Sequence, residues 1–147
     1  SYLLDMDLEG KKVTDVGTGT AILAILAKMR GASDVTGIEI DPGAYENAKE
    51  NAAINNVDLR LLLGDASEIG NVPVADLLMA NINRNIVIAD LERYAAGLAP
   101  GGAMILSGFY TEDIDKVMAE ARKYGLQLAE KRSDNNWAAI MLRKKSN

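Results

Sequence analysis

Short apolar runs alternate along this chain with stretches in which apolar residues recur at helical spacing, and Gly, Pro, Asn or Asp separates one from the next. Ser1 to Glu9 reads as the end of a helix or a lead-in segment, closed by Gly10. Val13 to Val16 predicts a first strand and Thr20 to Arg30 a first helix, with Gly31 as its C-terminal glycine. That helix is apolar almost all round from Ala21 to Ala27, so it is expected to be mostly buried. Val35 to Ile40 is a second strand, and Asp41-Pro42 caps and opens a helix with Ala44, Ala48 and Ala52 on one face. Val57 to Leu63 predicts strand three after the Asn55-Asn56 turn, and Ala66 to Val74 a loop or single helical turn. Asp76 to Ile82 predicts strand four. Leu91, Tyr94, Ala95 and Leu98 share a helix face that Pro100-Gly101-Gly102 breaks, and Ala103 to Phe109 is strand five. Thr111 is expected to cap a helix carrying Ile114, Val117, Met118, Ala121 and Tyr124, with Glu112 and Asp113 in its first turn and Gly125 after it. Leu126 to Arg132 and Trp137 to Arg143 flank the turn signal Ser133-Asp134-Asn135-Asn136, a hairpin.

Five strand–helix units with nearly continuous apolar strands predict an α/β fold, a doubly wound, mostly parallel sheet covered by helices on both faces. The terminal hairpin requires an antiparallel C-terminal strand. With 147 residues, no internal repeat and no linker, residues 1–147 read as one domain. A net charge of −5 without a Lys/Arg run argues against a direct nucleic-acid or anionic-membrane binder and is compatible with a basic partner. The chain has no cysteine and no histidine, so disulfides, thiol chemistry, an ordinary zinc site and a Ser-His-Asp triad are excluded. No apolar run approaches the ~18 residues of a membrane span and no signal peptide is visible, which makes cytoplasmic the default location. The opening Ser-Tyr-Leu-Leu, without Met, suggests a fragment of something longer.

Ligands of such sheets bind outside the carboxyl ends of the strands. Strand one ends in Asp15 and the turn Gly17-Thr18-Gly19, strand two in Glu39 and Asp41, strand three in Asp65, and strand four in Asn81. Glu39 follows the glycines by about 20 residues, the distance at which an acid accepts bonds from ribose hydroxyls. Asp65 is suited to an exocyclic amine such as that of adenine. Each is a common turn former taken singly, and Asp41 reads as the helix cap. A dinucleotide site would have a third glycine where Ile22 stands, and Asp15 would repel a diphosphate while receiving a cationic amino or sulfonium group. The acids therefore favour S-adenosylmethionine over a nicotinamide dinucleotide.

Asp15-x-Gly17-x-Gly19-Thr20, Gly37-Ile38-Glu39-Ile40-Asp41-Pro42, Gly64-Asp65 and Pro100-Gly101-Gly102 together resemble the class I S-adenosylmethionine-dependent methyltransferases. More narrowly, Ala80-Asn81-Ile82, Leu106-Ser107-Gly108-Phe109 and Asn136-Trp137-Ala138-Ala139 are similar to the catalytic domain of the large-subunit ribosomal protein (L-eleven) methyltransferases. The resemblance implies a Rossmann-like sheet of seven strands with the last antiparallel. It implies that Asp15, Gly17 and Gly19 meet the methionine part of the cofactor, that Glu39 holds the ribose and Asp65 the adenine, and that Asn81 lies beside the methyl group and the incoming amine. The implied acceptor is an amino group of a ribosomal protein, and the chain is expected to act as a monomer. The family's N-terminal recognition domain is expected to be absent, since only Ser1 to Gly10 precede strand one. The family usually has Cys-Gly-[Thr/Ser]-Gly where this chain has Thr18-Gly19-Thr20-Ala21, and the Ala21 methyl is expected to crowd the cofactor.

Transfer of a methyl group from a sulfonium to a neutral amine is an in-line displacement that requires no metal. Positioning can supply on the order of 7–11 kcal/mol of acceleration in favourable cases. Two rival readings are a truncated core that binds cofactor without catalysis, and a methyltransferase of a small-molecule amine.

Overall fold

A computed structural model describes residues 5–81 and 84–146. Its elements are β1 (Lys12–Val16), α1 (Ile22–Met29), β2 (Asp34–Glu39), α2 (Pro42–Ile54), β3 (Arg60–Leu63), β4 (Ala75–Asn81), α3 (Arg84–Ala96), β5 (Leu98–Tyr110), α4 (Ile114–Ala121), β6 (Leu126–Asp134) and β7 (Trp137–Lys144). A 3-10 segment, Ala66–Asn71, stands where a helix would follow β3, so the expected loop or single turn is a short helix. Ser1 to Leu4 of the lead-in segment and Ile82, the expected end of strand four, lie outside the described residues.

The seven strands form one sheet in the order β3-β2-β1-β4-β5-β7-β6. β1 to β5 pair in parallel, while β7 runs antiparallel to both β5 and β6. The expected hairpin is present, its two-residue loop being Asn135-Asn136 at φ 49° and 71°. Asparagine tolerates this left-handed region, which matches the twist of the flanking strands. Alternation along each strand divides the core into two layers. Val16, Ile38, Leu78, Ala80, Met104 and Leu106 meet α3 and α4 on one face. Val13, Val35, Leu77, Met79 and Ala103 meet α1 and Leu8 on the other. Each fully buried Leu or Val contributes roughly 1.5–3 kcal/mol relative to exposure, so the two layers fix which side chains face which helix.

Four local expectations are corrected. α1 begins at Ile22, two residues later than expected, because Ala21 takes the left-handed conformation at φ 68°. Nor is α1 mostly buried: Ala24, Ile25 and Ala27 face the sheet, while Ile22 is 67% and Met29 65% exposed. One stripe of an eight-residue helix suffices to cover β1 and β2, whatever its composition elsewhere. Leu98 is not on the helix but opens β5, pairing with Ala75, and the next pair is Leu77 with Ala103. Pro100-Gly101-Gly102 is therefore an excursion within β5 rather than a break before it. Finally, Thr111 is not the cap but the first residue of a 3-10 turn, Thr111–Asp113, that leads into α4; Tyr110 stands at the cap position, and Asp113 reaches back to accept from the Tyr110 N–H at 3.4 Å. The cap of α2 is as expected, with Asp41 Oδ2 accepting from the Ala44 N–H at 2.8 Å.

Candidate functional site

Asp15, Gly37 and Glu39 alternate onto the α1 face at the carboxyl ends of the adjacent strands β1 and β2, where Asp15 pairs with Gly37. Beyond β1 the chain turns at Gly17 (φ 71°), and the N–H groups of Gly17 and Thr18 both donate to the Ile38 carbonyl, at 2.8 and 3.0 Å. This bends the loop across the end of β2. Glu39 then clasps it, one carboxylate oxygen accepting from the Gly19 N–H at 2.8 Å and the other from the Asp41 N–H at 2.9 Å. Gly37 makes the approach possible. A Cβ there would stand 2.9 Å from Leu61 Cδ2 and 3.0 Å from Thr18 Oγ1, too close for either to stay.

Asp15 is buried, 4% exposed, and accepts from the Thr18 hydroxyl at 2.9 Å. Burial pushes its carboxyl up to about 7; the Thr18 hydrogen bond opposes the rise and the neighbouring Glu39 charge adds to it. Asp65 contrasts with it. It is exposed and caps the 3-10 segment, Oδ1 accepting from both the N–H and the hydroxyl of Ser67, and these bonds hold its carboxyl below the usual range. It remains at the same edge, because the adjacent Gly64 donates its N–H to the Glu39 carbonyl at 2.9 Å.

Asn81 ends β4, exposed, opposite Ser107 of β5. Its carbonyl oxygen lies 3.7 Å from where a Gly17 Cβ would stand, so the glycine turn and the end of β4 are in contact. On its far side Asn81 lines a cavity of about 500 Å3 with Ser107, Gly108, Asp134, Trp137 and Ala139. A β-bulge at Gly108 shifts the β5–β7 register from Ser107–Ala139 to Phe109–Ala138 beside this cavity. At its rim Tyr110 and Trp137 face each other across the strands and stack, ring centroids 4.7 Å apart, though about half of each is exposed. A larger cavity, about 600 Å3, lies away from Asp15, Glu39 and Asp65, bordered by Leu8, Lys11 and Asp76 at the amino ends of β1 and β4 and by Asp5, Glu130 and Arg132. Part of its charged lining is paired within itself, Arg132 meeting Asp5 at 2.8 Å and Glu130 at 3.1 Å, and it lies at the edge of the sheet opposite the carboxyl ends where ligands of such sheets bind.

The structure thus brings Asp15, Gly17, Gly19, Glu39 and Asn81 into one continuous edge and leaves Asp65 at its margin. These residues suit a cationic nucleoside. Among the described residues nothing stands within 4 Å of a Cβ position at Gly19, which leaves room for a ligand against bare backbone. Each Glu39 oxygen uses one lone pair on backbone and retains another for a hydroxyl. Two expectations about the loop change. Ile22 projects outward and does not crowd helix against strand, so the case against a diphosphate rests on Asp15. Ala21 is fully buried among the α1-face core, so its methyl burdens the backbone conformation rather than the open side of the loop. Sequence reasoning underrated Thr18, whose position three residues after Asp15 was the available signal. It had no means of finding the Tyr110–Trp137 stack, which depends on pairing β5 with β7.

The family model described as "Ribosomal protein L11 methyltransferase (PrmA)" matches residues 1–145. The chain is 53% identical over 141 residues to a ribosomal protein L11 methyltransferase of Porphyromonas gingivalis, covering 95% of this chain and 49% of that protein. It is 47% identical over 141 residues to one of Phocaeicola vulgatus, covering 95% and 50%. Among solved structures, the ribosomal protein L11 methylase of Lactobacillus delbrueckii subsp. bulgaricus superposes with a TM-score of 0.89 at 26% identity, over 97% of this chain and 74% of that one. The chain spans about half the length of the curated relatives it matches.

Proposed function

The chain belongs to the ribosomal protein L11 methyltransferase family, and from that premise we propose that it is the methyl-transferring core of an enzyme that uses S-adenosylmethionine to methylate amino groups of a ribosomal protein. The observation that carries this reading is the bonded edge itself: a glycine turn clasped by Glu39, a buried acid beside it, and Asn81 standing between that turn and a second cavity. Glu39 holds the ribose, Asp15 and the glycine turn the amino-acid end, and Asp65 the adenine at the margin. Asn81 faces the acceptor.

S-adenosylmethionine, when bound, supplies a methyl group on a positively charged sulfur. The chain's own part is to hold and orient. Amide and carbonyl oxygens at Asn81 accept hydrogen bonds from the incoming amine and aim its lone pair, which is the kind of positioning worth several kcal/mol. The amine enters neutral, its proton lost to solvent as it leaves water for the partly apolar cavity of Trp137 and Ala139. No side-chain base is needed beyond that. The net charge of −5 favours a basic acceptor segment. Among the described residues no helix is long and apolar enough to cross a membrane, and the proposed site of action is the cytoplasm, where ribosomal proteins are made.

Calorimetry with S-adenosylhomocysteine tests the cofactor site, and no heat at millimolar ligand rejects it. Methyl-labelled cofactor offered together with ribosomal protein and with free small amines tests the acceptor. Label is expected in the protein; label in the small amines alone rejects a protein acceptor.

A further inference from the structure

Two carboxylates end adjacent strands on one face, and they are served differently. Glu39 receives two backbone N–H groups, whereas Asp15 accepts from a side-chain hydroxyl, that of Thr18. No cation pairs with either among the described residues. Among the described residues, the groups that flank Asp15 supply no positive charge. Its neighbour on β4 is Met79, its neighbour on β2 is Gly37, the buried side chains of α1 are Ala24, Ile25 and Ala27, and the nearest charge is the Glu39 carboxylate itself. A buried acid in such a place keeps its proton until a cation arrives.

Resting on the cofactor reading above, we infer that Asp15 is protonated in the empty site and gives up its proton to solvent when the ammonium end of the nucleoside ligand docks beside it. Asp15 is thereby the residue by which the pocket selects a cationic amino-acid nucleoside over a neutral one. The balance is simple: the O–H bond of the Asp15 carboxyl breaks, the proton passes to water or buffer, and the ligand's ammonium keeps all its hydrogens. Geometry supports this through the hydroxyl of Thr18, which can accept from the protonated acid or donate to the ionised one without moving. The carboxyl held up at about 7 by burial is consistent with it.

The test is calorimetric titration of the whole chain with S-adenosylhomocysteine at pH 6.5, in buffers of low and high ionisation enthalpy. More than half a proton is expected to leave per ligand bound at pH 6.5, falling towards none at pH 8. 5′-Methylthioadenosine, which lacks the amino-acid end, is expected to bind without proton release. Asp15→Asn is expected to bind S-adenosylhomocysteine at least tenfold more weakly and to release nothing. Thr18→Val, which removes the hydrogen bond to the ionised form, is expected to move the release to higher pH. Binding with no buffer dependence in the wild type, or release undiminished in Asp15→Asn, overturns the inference and leaves the cofactor reading standing. No binding at all overturns both. Should Asp15→Asn not fold, the Thr18→Val titration decides, and an unmoved midpoint counts against Asp15.

Discussion

On the β1–β2 side of the carboxyl edge the polar groups are already bonded: Glu39 to Gly19 and Asp41, and Asp15 to Thr18. On the β4–β5–β7 side Asn81 and the Tyr110–Trp137 stack face open space around a cavity of about 500 Å3. The first half is assembled from residues close in sequence or one strand apart, and its hydrogen-bonding groups are held in place by one another. The second half is assembled from three distant strands and presents apolar surface. On the assignment proposed above, the cofactor side is preorganised by backbone hydrogen bonds, whereas the acceptor side relies on shape and desolvation.

Changes to each half should therefore differ in kind. The largest effect is expected on the electrostatics of the first. Asp15 has its carboxyl raised from 3.8 to about 7 by folding, so between those values the folded chain binds more protons than the unfolded one. Wild-type stability consequently falls as pH rises from about 4 to about 7, and the loss is complete above that; full linkage is up to about 4 kcal/mol. Asp15→Asn removes this slope. Denaturant unfolding at pH 5 and pH 8 should show the variant gaining on the wild type as pH rises, and parallel curves would show that Asp15 is ionised without cost.

Next comes Glu39→Ala, which strips acceptors from two backbone N–H groups and is expected to cost about 2–3 kcal/mol of stability, with at least a tenfold loss of S-adenosylhomocysteine affinity. Glu39→Gln, able to accept one of those bonds, should recover part of both. Trp137→Ala probes the other half. It is expected to cost about 1 kcal/mol through the lost stack, and to raise the acceptor KM while leaving cofactor affinity unchanged. A loss of cofactor affinity in Trp137→Ala would erase the distinction between the two sides. The smallest effect is a gain: Ala21→Gly relieves a left-handed alanine and should stabilise the chain by about 0.5–1 kcal/mol, read as a raised Tm.

The strand order of chemistry was legible because it is local. Asp15, the glycine turn, Glu39 and Asn81 each sit at the end of an apolar run, and parallel strands put all such ends on one edge whatever the packing. The hairpin turn was legible for the same reason, Asn135-Asn136 being suited to left-handed backbone. Burial of α1 was not, since composition cannot say which stripe of an apolar helix meets the sheet. Nor was the placement of Leu98, where a helical spacing and a strand start overlap and pairing with Ala75 decides.

What the amino-acid sequence determined by itself, then, was the sequence of elements and the residue types at the functional edge, because both follow from periodicity and turn chemistry. What only the tertiary structure decided was which of those residues are desolvated and which touch. Asp15 and Asp65 are the same side chain at the same edge. One lies under the glycine turn against α1, with its carboxyl raised by burial, and the other caps a short helix in water, with its carboxyl lowered by Ser67. That difference is a matter of packing across the fold, and no local pattern carries it.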